Sequence, residues 1–295
     1  MQYDRTCFVE AEDGTRMFVE ELGEGTPPIV LTDGIGCDGF VWRYLAPRLA
    51  KRHRVVHWHF RGHGRSGPPV DPERLSIEDL ARDLRRICDA KEIRRPVIAA
   101  HSMGVQVALE YYQQNPDDVG ALILMCGTFG RITTTFHGTD LLDQILPTLV
   151  RGTRMFPVVA RAVWGRIPAA LAFRVACAGR ELDGERIQEE DFQRYWDHAA
   201  LMNPDVFLRM LQYAGTHDAE AFLPEIAVPT LVVAAERDTF TPMELANEMA
   251  RAIPNAELEV IEEASHAAPV EQPDRIADRV EEFLASRLGI YANSV

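Results

Sequence analysis

The 295-residue chain is short of several things, and each shortage excludes a class. Its five cysteines, Cys7, Cys37, Cys88, Cys126 and Cys177, are odd in number, far apart and never in C-x-x-C spacing. Neither a disulfide framework nor a recognisable zinc pattern follows from them, and free thiols in a reducing cytoplasm are expected. No stretch approaches the ~18 uncharged apolar residues of a membrane span. Met1 to Glu10 carries Asp4, Arg5 and Glu10 without an apolar h-region, so no signal peptide is expected. Positive charge is in deficit: 31 Lys+Arg against 45 Asp+Glu gives −14, which argues against nucleic acid as a partner. Low-complexity segments are lacking as well. What is present, 46% hydrophobic and 26% charged residues, is globular composition able to bury a large core in one or two domains.

Apolar runs alternate with helical patterns. Ile29-Val30-Leu31, Val55-Val56-His57-Trp58, Pro96 to Ala100, Ala121 to Met125, Thr230 to Ala234 and Leu258 to Ile261 read as strands covered on both faces of a mainly parallel sheet. Between them, Ile77, Leu80, Ala81, Leu84, Ile87 and Cys88 fall on one helical face, and Ser76 with Asp79 resembles a capping box. Met103 to Gln114, Pro242 to Ile253 and Pro273 to Ser286 also read as helices. This alternation implies a doubly wound α/β fold, opened by an antiparallel β segment from Cys7 to Glu21.

The rhythm breaks between Gly130 and Pro224, where helical stretches rich in aromatics take over. We read residues 1–129 and 225–295 as the core domain and 130–224 as a helical cap inserted into it. Residues 146–180 hold Arg151, Arg154, Arg161, Arg166, Arg174 and Arg180 and no acid. Solvated faces of amphipathic helices account for them most simply; an anionic substrate or a lipid surface is the alternative.

The string Val97-Ile98-Ala99-Ala100-His101-Ser102-Met103-Gly104 places a serine at a strand end, immediately before a helix. Small residues two positions to either side, Ala100 and Gly104, allow a sharp turn that exposes the Ser102 hydroxyl, and the following helix aims its N–H groups at the same spot. Here the chain resembles the α/β-hydrolase superfamily, whose nucleophile elbow is G-x-S-x-G; Ala100 stands for the first Gly. The resemblance implies an eight-stranded, mostly parallel α/β-hydrolase sheet with an inserted helical cap. It also implies an esterase- or lipase-like serine hydrolase that uses no cofactor and no metal.

A serine hydroxyl needs a base, and the base an orienting group. The superfamily supplies them later in the chain, in the order Ser, Asp, His. Glu236-Arg237-Asp238-Thr239-Phe240-Thr241-Pro242 matches its acid turn, and Ser265-His266 its late histidine turn, so the resemblance makes Ser102, Asp238 and His266 the catalytic triad. The backbone of Met103 is one expected oxyanion donor. The resemblance points to the Ile35 N–H as the second, because Ile35 follows the pair that is usually His-Gly.

That pair is Asp33-Gly34 here, and a carboxylate beside an oxyanion hole opposes the developing charge. In Arg61-Gly62-His63-Gly64-Arg65-Ser66, which matches the family's R-G-x-G-x-S turn, His59 stands where Asp is usual. The two departures look complementary, and we expect Asp33 and His59 to form a swapped His–Asp pair. His53, His57, His59 and His63 also invite a metal check; His57 and His59 share a strand face, but no carboxylate or cysteine completes a zinc pattern in the sequence.

The expected substrate is a small-to-medium ester or related acyl compound. Phe129, Phe136, Trp164 and Trp196 are candidate pocket residues, although much of the aromatic content simply builds the cap's own core. Lactones, or carbon–carbon bonds in acidic dienoic diketo acids, are the alternative on the same triad, and a non-catalytic ligand receptor is the alternative from another class. Ser102 argues against the epoxide hydrolases and dehalogenases of this fold, which use Asp. The sequence leaves the oligomeric state open.

Overall fold

The computed structural model of the protein describes residues 3–135, 139–166, 168–178, 182–187 and 189–289. Phe136 and Arg180 lie outside the described residues. The strands are β1 (Arg5–Glu10), β2 (Arg16–Leu22), β3 (Ile29–Thr32), β4 (Val55–Trp58), β5 (Val97–His101), β6 (Ala121–Met125), β7 (Thr230–Ala235) and β8 (Ala256–Ile261). They form one sheet in the order β1-β2-β4-β3-β5-β6-β7-β8. β1 and β2 pair antiparallel, β2 pairs antiparallel with β4, and every other neighbour is parallel.

Core helices flank the sheet: α1 (Leu45–Leu49), α2 (Ile77–Ala90), α3 (Met103–Gln114), α10 (Met243–Ala252), α11 (Ala268–Glu271) and α12 (Pro273–Leu288). The alternation of side chains along each strand divides the core in two. Val30, Val56, Ile98, Leu122 and Val232 pack in one cluster with residues of α2, α3 and α10. Ile29, Val55, Val97, Ile123 and Leu231 pack in the other with residues of α1 and α12. The periodic face read for α2 is buried, and its capping box forms: Ser76 Oγ accepts from the Asp79 amide while the Asp79 carboxylate accepts from the Ser76 amide.

Among the described residues no strand lies between β6 and β7; the helices there are α4 (Ile132–Thr135), α5 (Leu141–Met155), α6 (Pro157–Val163), α7 (Ala169–Ala178), α8 (Glu189–Leu201) and α9 (Pro204–Thr216), followed by a 3-10 turn (Glu220–Glu225). α5 packs on α9 and α7 on α8. Of the arginines singled out in the sequence, those that are described stay at the surface. Arg154 pairs with Glu73, Arg161 donates to the Met202 carbonyl, and Arg151, Arg166 and Arg174 are exposed. The five cysteines are free thiols; Cys37, Cys88 and Cys126 are buried, whereas Cys7 and Cys177 are partly exposed. Among the described residues no helix is long and apolar enough to cross a membrane.

Candidate active site

Three strand ends converge at the C-terminal edge of the sheet, where a parallel α/β sheet presents its loops. Ser102 follows β5 directly and has φ 56° and ψ −125°. A side-chain-bearing residue rarely adopts that backbone, and it holds the hydroxyl clear of the strand. The turn is possible because α3 starts hard against β3: a Cβ on Gly104 would lie 2.5 Å from the carbonyl oxygens of both Thr32 and Asp33. Gly34 is equally constrained, since a Cβ there would stand 2.8 Å from Ser102 Cβ.

Ser102 Oγ lies 2.9 Å from His266 Nε2, and His266 Nδ1 lies 2.9 Å from Asp238 Oδ2. Asp238 also accepts from the amides of Phe240 and Thr241 and from the Thr241 hydroxyl. Burial favours its neutral acid, but the His266 charge and these donors hold the carboxyl below the ordinary aspartate value. The structure thus brings together the three residues singled out from sequence.

Two supports of this constellation escaped sequence reading. His101 Nε2 donates to the His266 carbonyl at 2.9 Å; burial and the neighbouring His266 push this imidazole down to about 4, so it is neutral and keeps one proton for that bond. Glu271, the buried last residue of α11, accepts from the Ser265 amide and hydroxyl and from the amide of Asp183 in the β6–β7 insertion. The histidine turn and the insertion therefore share one carboxylate. An acid six residues beyond the S-H turn is the only sequence signal for it.

The loop after β3 carries the expected oxyanion donors. Gly34 places it against Ser102, and Met103 opens α3, whose first amides have no acceptor within the helix. The loop is tied on both sides. The Gly36 amide donates to His63 Nε2, and His198 of α8 donates through Nδ1 to the Gly36 carbonyl while its Nε2 accepts from the Gly64 amide. Tyr195 and Phe207, from α8 and α9, stand within van der Waals reach of the space over Gly36.

The expected Asp33–His59 pair does not form. Asp33 Oδ2 is bonded to His57 Nε2 at 2.9 Å, and both side chains are buried. Leu31 is the register partner of His57, so a prolonged ladder would set Asp33 opposite His59. β3 and β4 end at Thr32 and Trp58, however, and the following turn brings the Arg65 amide onto His59 Nδ1 at 2.9 Å. Burial and the adjacent His57 charge push His59 down to about 2, so it stays neutral. Asp33 reaches back one pleat to His57 instead.

Cross-strand register adds a carboxylate to these histidines that no sequence pattern marks. Glu20 of β2 faces His57, and Glu20, His57 and His59 bring one ligand atom each within 4.8 Å of one another. The proton positions suit a metal poorly. With Nδ1 of His59 accepting from Arg65, its Nε2 carries the hydrogen, and a metal at Nε2 would force two N–H groups against each other.

Of the candidate pocket residues, Phe129 is buried in the core cluster that contains α3. Trp164 packs on Phe207 and donates to the Ala199 carbonyl, one ring removed from Gly36. Trp196 stacks on Phe192 within the insertion. Phe240, in the acid turn, is the aromatic ring that lies against His266, with centroids 4.9 Å apart.

Comparison with known proteins agrees with this architecture. RutD of Azorhizobium caulinodans, whose name proposes carbamate hydrolysis, is 28% identical over 258 residues, 88% of this chain and 91% of that one. A 2-hydroxy-6-oxononadienedioate/2-hydroxy-6-oxononatrienedioate hydrolase of Paraburkholderia xenovorans is 27% identical over 292 residues, 94% of each chain. Among solved structures, an esterase from Exiguobacterium antarcticum superposes with a TM-score of 0.78 at 21% identity, over 95% of this chain and 99% of its own. The family model described as alpha/beta hydrolase fold matches residues 27–273, and with the eight-stranded sheet above it shows that this chain belongs to the α/β-hydrolase family.

Proposed function

We propose that the protein is a serine hydrolase that cleaves carboxylic esters through an acyl-enzyme on Ser102. The observation that carries the reading is the unbroken hydrogen-bonded series from Ser102 Oγ through His266 to Asp238, on a serine with positive φ. In this reading His266 Nε2 takes the hydroxyl proton as Oγ attacks the carbonyl carbon, and Asp238 stabilises the resulting imidazolium. The amides of Ile35 and Met103 bind the oxyanion. The intermediate collapses, the C–O bond breaks, and the alcohol leaves with the proton from His266. Water, deprotonated by His266, then attacks the ester carbon, and the second collapse returns the proton to Ser102 and releases the carboxylic acid. Helices α4–α9 serve as the cap, and Phe240, Tyr195 and Phe207 offer apolar surface for the acyl or alcohol group.

A panel of nitrophenyl esters of graded chain length, with a fluorophosphonate probe, tests the reading. We expect turnover of short-to-medium esters, labelling of Ser102, and a kcat lower by roughly 10⁴–10⁶-fold in Ser102→Ala. An unlabelled serine, or turnover that survives the substitution, would overturn it. The relation to the dienedioate hydrolase of P. xenovorans favours carbon–carbon cleavage of an acidic diketo compound as the second reading. The arginines once considered for such a substrate lend it little support, since Arg154 and Arg161 have partners elsewhere and the other three described are on the surface.

A further inference from the structure

The loop against Ser102 begins with a carboxylate, which is the wrong sign for a site that must stabilise an oxyanion. We propose that Asp33 and His57 form a buried carboxylate–imidazolium pair that positions the Gly34–Ile35 loop and cancels the Asp33 charge at the reacting carbonyl. The proposal rests on the hydrolase reading above and adds a positioning role for two residues outside the triad.

The geometry gives three grounds. Asp33 is buried one residue before Gly34, whose Cα faces Ser102, so its charge acts on the oxyanion position through protein rather than water. His57 Nε2 meets Asp33 Oδ2 at 2.9 Å, in a ring with no exposure to solvent. The surroundings then favour the charged ring. Glu20 of β2 has Oε2 3.6 Å from His57 Nδ1; Tyr3 stacks on the ring at 6.2 Å; His59, just past the end of β4, is neutral; and the Cys37 thiol is kept neutral by burial and by Asp33. His57 therefore lies between two carboxylates with no cation of comparable proximity among these groups. Burial alone would lower its proton affinity, but Asp33 and then Glu20 outweigh it and raise the imidazole to about 9. Burial likewise opposes ionisation of Asp33, and His57 reverses that too, leaving the carboxyl below its ordinary value.

The sign of the pH effect follows. A raised imidazole is charged below about 9 and neutral above it, so the pair persists at neutral pH, while its contribution to stability is complete below the ordinary histidine value of 6.5, declines as pH rises from there and is gone above about 9. Beyond it, Asp33 stands uncompensated beside the oxyanion loop.

The experiment measures kcat and KM on a soluble nitrophenyl ester from about pH 6 to about pH 10.5 for the wild type, His57→Asn, Asp33→Asn and the double variant, with thermal melting as a fold control. We expect a descending wild-type kcat limb near pH 9, absent from Asp33→Asn. His57→Asn should lower kcat by roughly 10- to 100-fold with KM changed less than about 3-fold, because an unpaired charge penalises the transition state above all. Removing the carboxylate as well should restore roughly 5-fold or more of that loss, an outcome that simple loss of packing does not produce. A double variant no better than His57→Asn, or a flat wild-type profile across the alkaline range, would overturn the pair's role. Should His57→Asn fail to fold, the wild-type limb and its fate in Asp33→Asn decide the matter. Failure of the wild type to label with fluorophosphonate is a separate result that removes the hydrolase reading, and this one with it.

Discussion

The sheet and the helical insertion are built on opposite terms. Strands β3 to β7 are buried along their whole length and covered on both faces. In the insertion, Phe156, Val158, Val159 and Val163 are mostly exposed, and α6 buries none of its seven residues. Ser102 and Asp238 follow strands of the first kind, β5 and β7, and His266 follows the half-buried edge strand β8 beside them, whereas the second kind touches the site through Tyr195, His198, Phe207 and the amide of Asp183. The three residues of the series are thus carried by the core sheet, and the contacts over it come from the less buried insertion, an arrangement that suits rigid positioning of a site.

Substitutions on either side of that boundary sharpen the contrast. The largest effect is expected at the junction of α3 and β3. Gly104→Val drives a side chain into two backbone carbonyls, and we expect a loss of about 3 kcal/mol in denaturant melts with near-complete loss of ester turnover. His198→Ala removes the two hydrogen bonds that α8 makes to Gly36 and Gly64, which should cost about 1 kcal/mol in stability. The same change should lower kcat/KM by roughly 3- to 10-fold, more than that stability loss explains, because the oxyanion loop loses a tether. Val158→Ser, on the exposed face of α6, should shift stability by less than about 0.5 kcal/mol and leave kcat unchanged. If it instead destabilised the chain strongly, the division drawn above would not hold.

Legibility in the sequence followed the same boundary. Strands buried on both faces announce themselves as apolar runs, and Ser102 and Asp238 follow two such runs while His266 follows the half-buried β8, so the three residues that the structure brings into one hydrogen-bonded series could be singled out before any coordinates. Asp33 illustrates the opposite case. Its partner depends on where two strands stop, and a ladder two residue pairs longer would have set it opposite His59. Glu20 was invisible for a related reason: it reaches His57 by antiparallel register across β2 and β4, 37 positions along the chain. His198 and Glu271 act through a few hydrogen bonds, mostly to backbone, which leave no periodic trace. The aromatics of the insertion were recognised as a group, but which ring faces which depends on helix packing, so Trp196 stacks on Phe192 and Phe240 is the ring beside His266.

The left-handed turn at Ser102 has a consequence for engineering. Glycine would occupy that backbone freely, whereas every residue with a β-carbon does so under tension. A search for heat-resistant variants that ignored turnover would therefore be drawn to Ser102→Gly, trading the hydroxyl for durability.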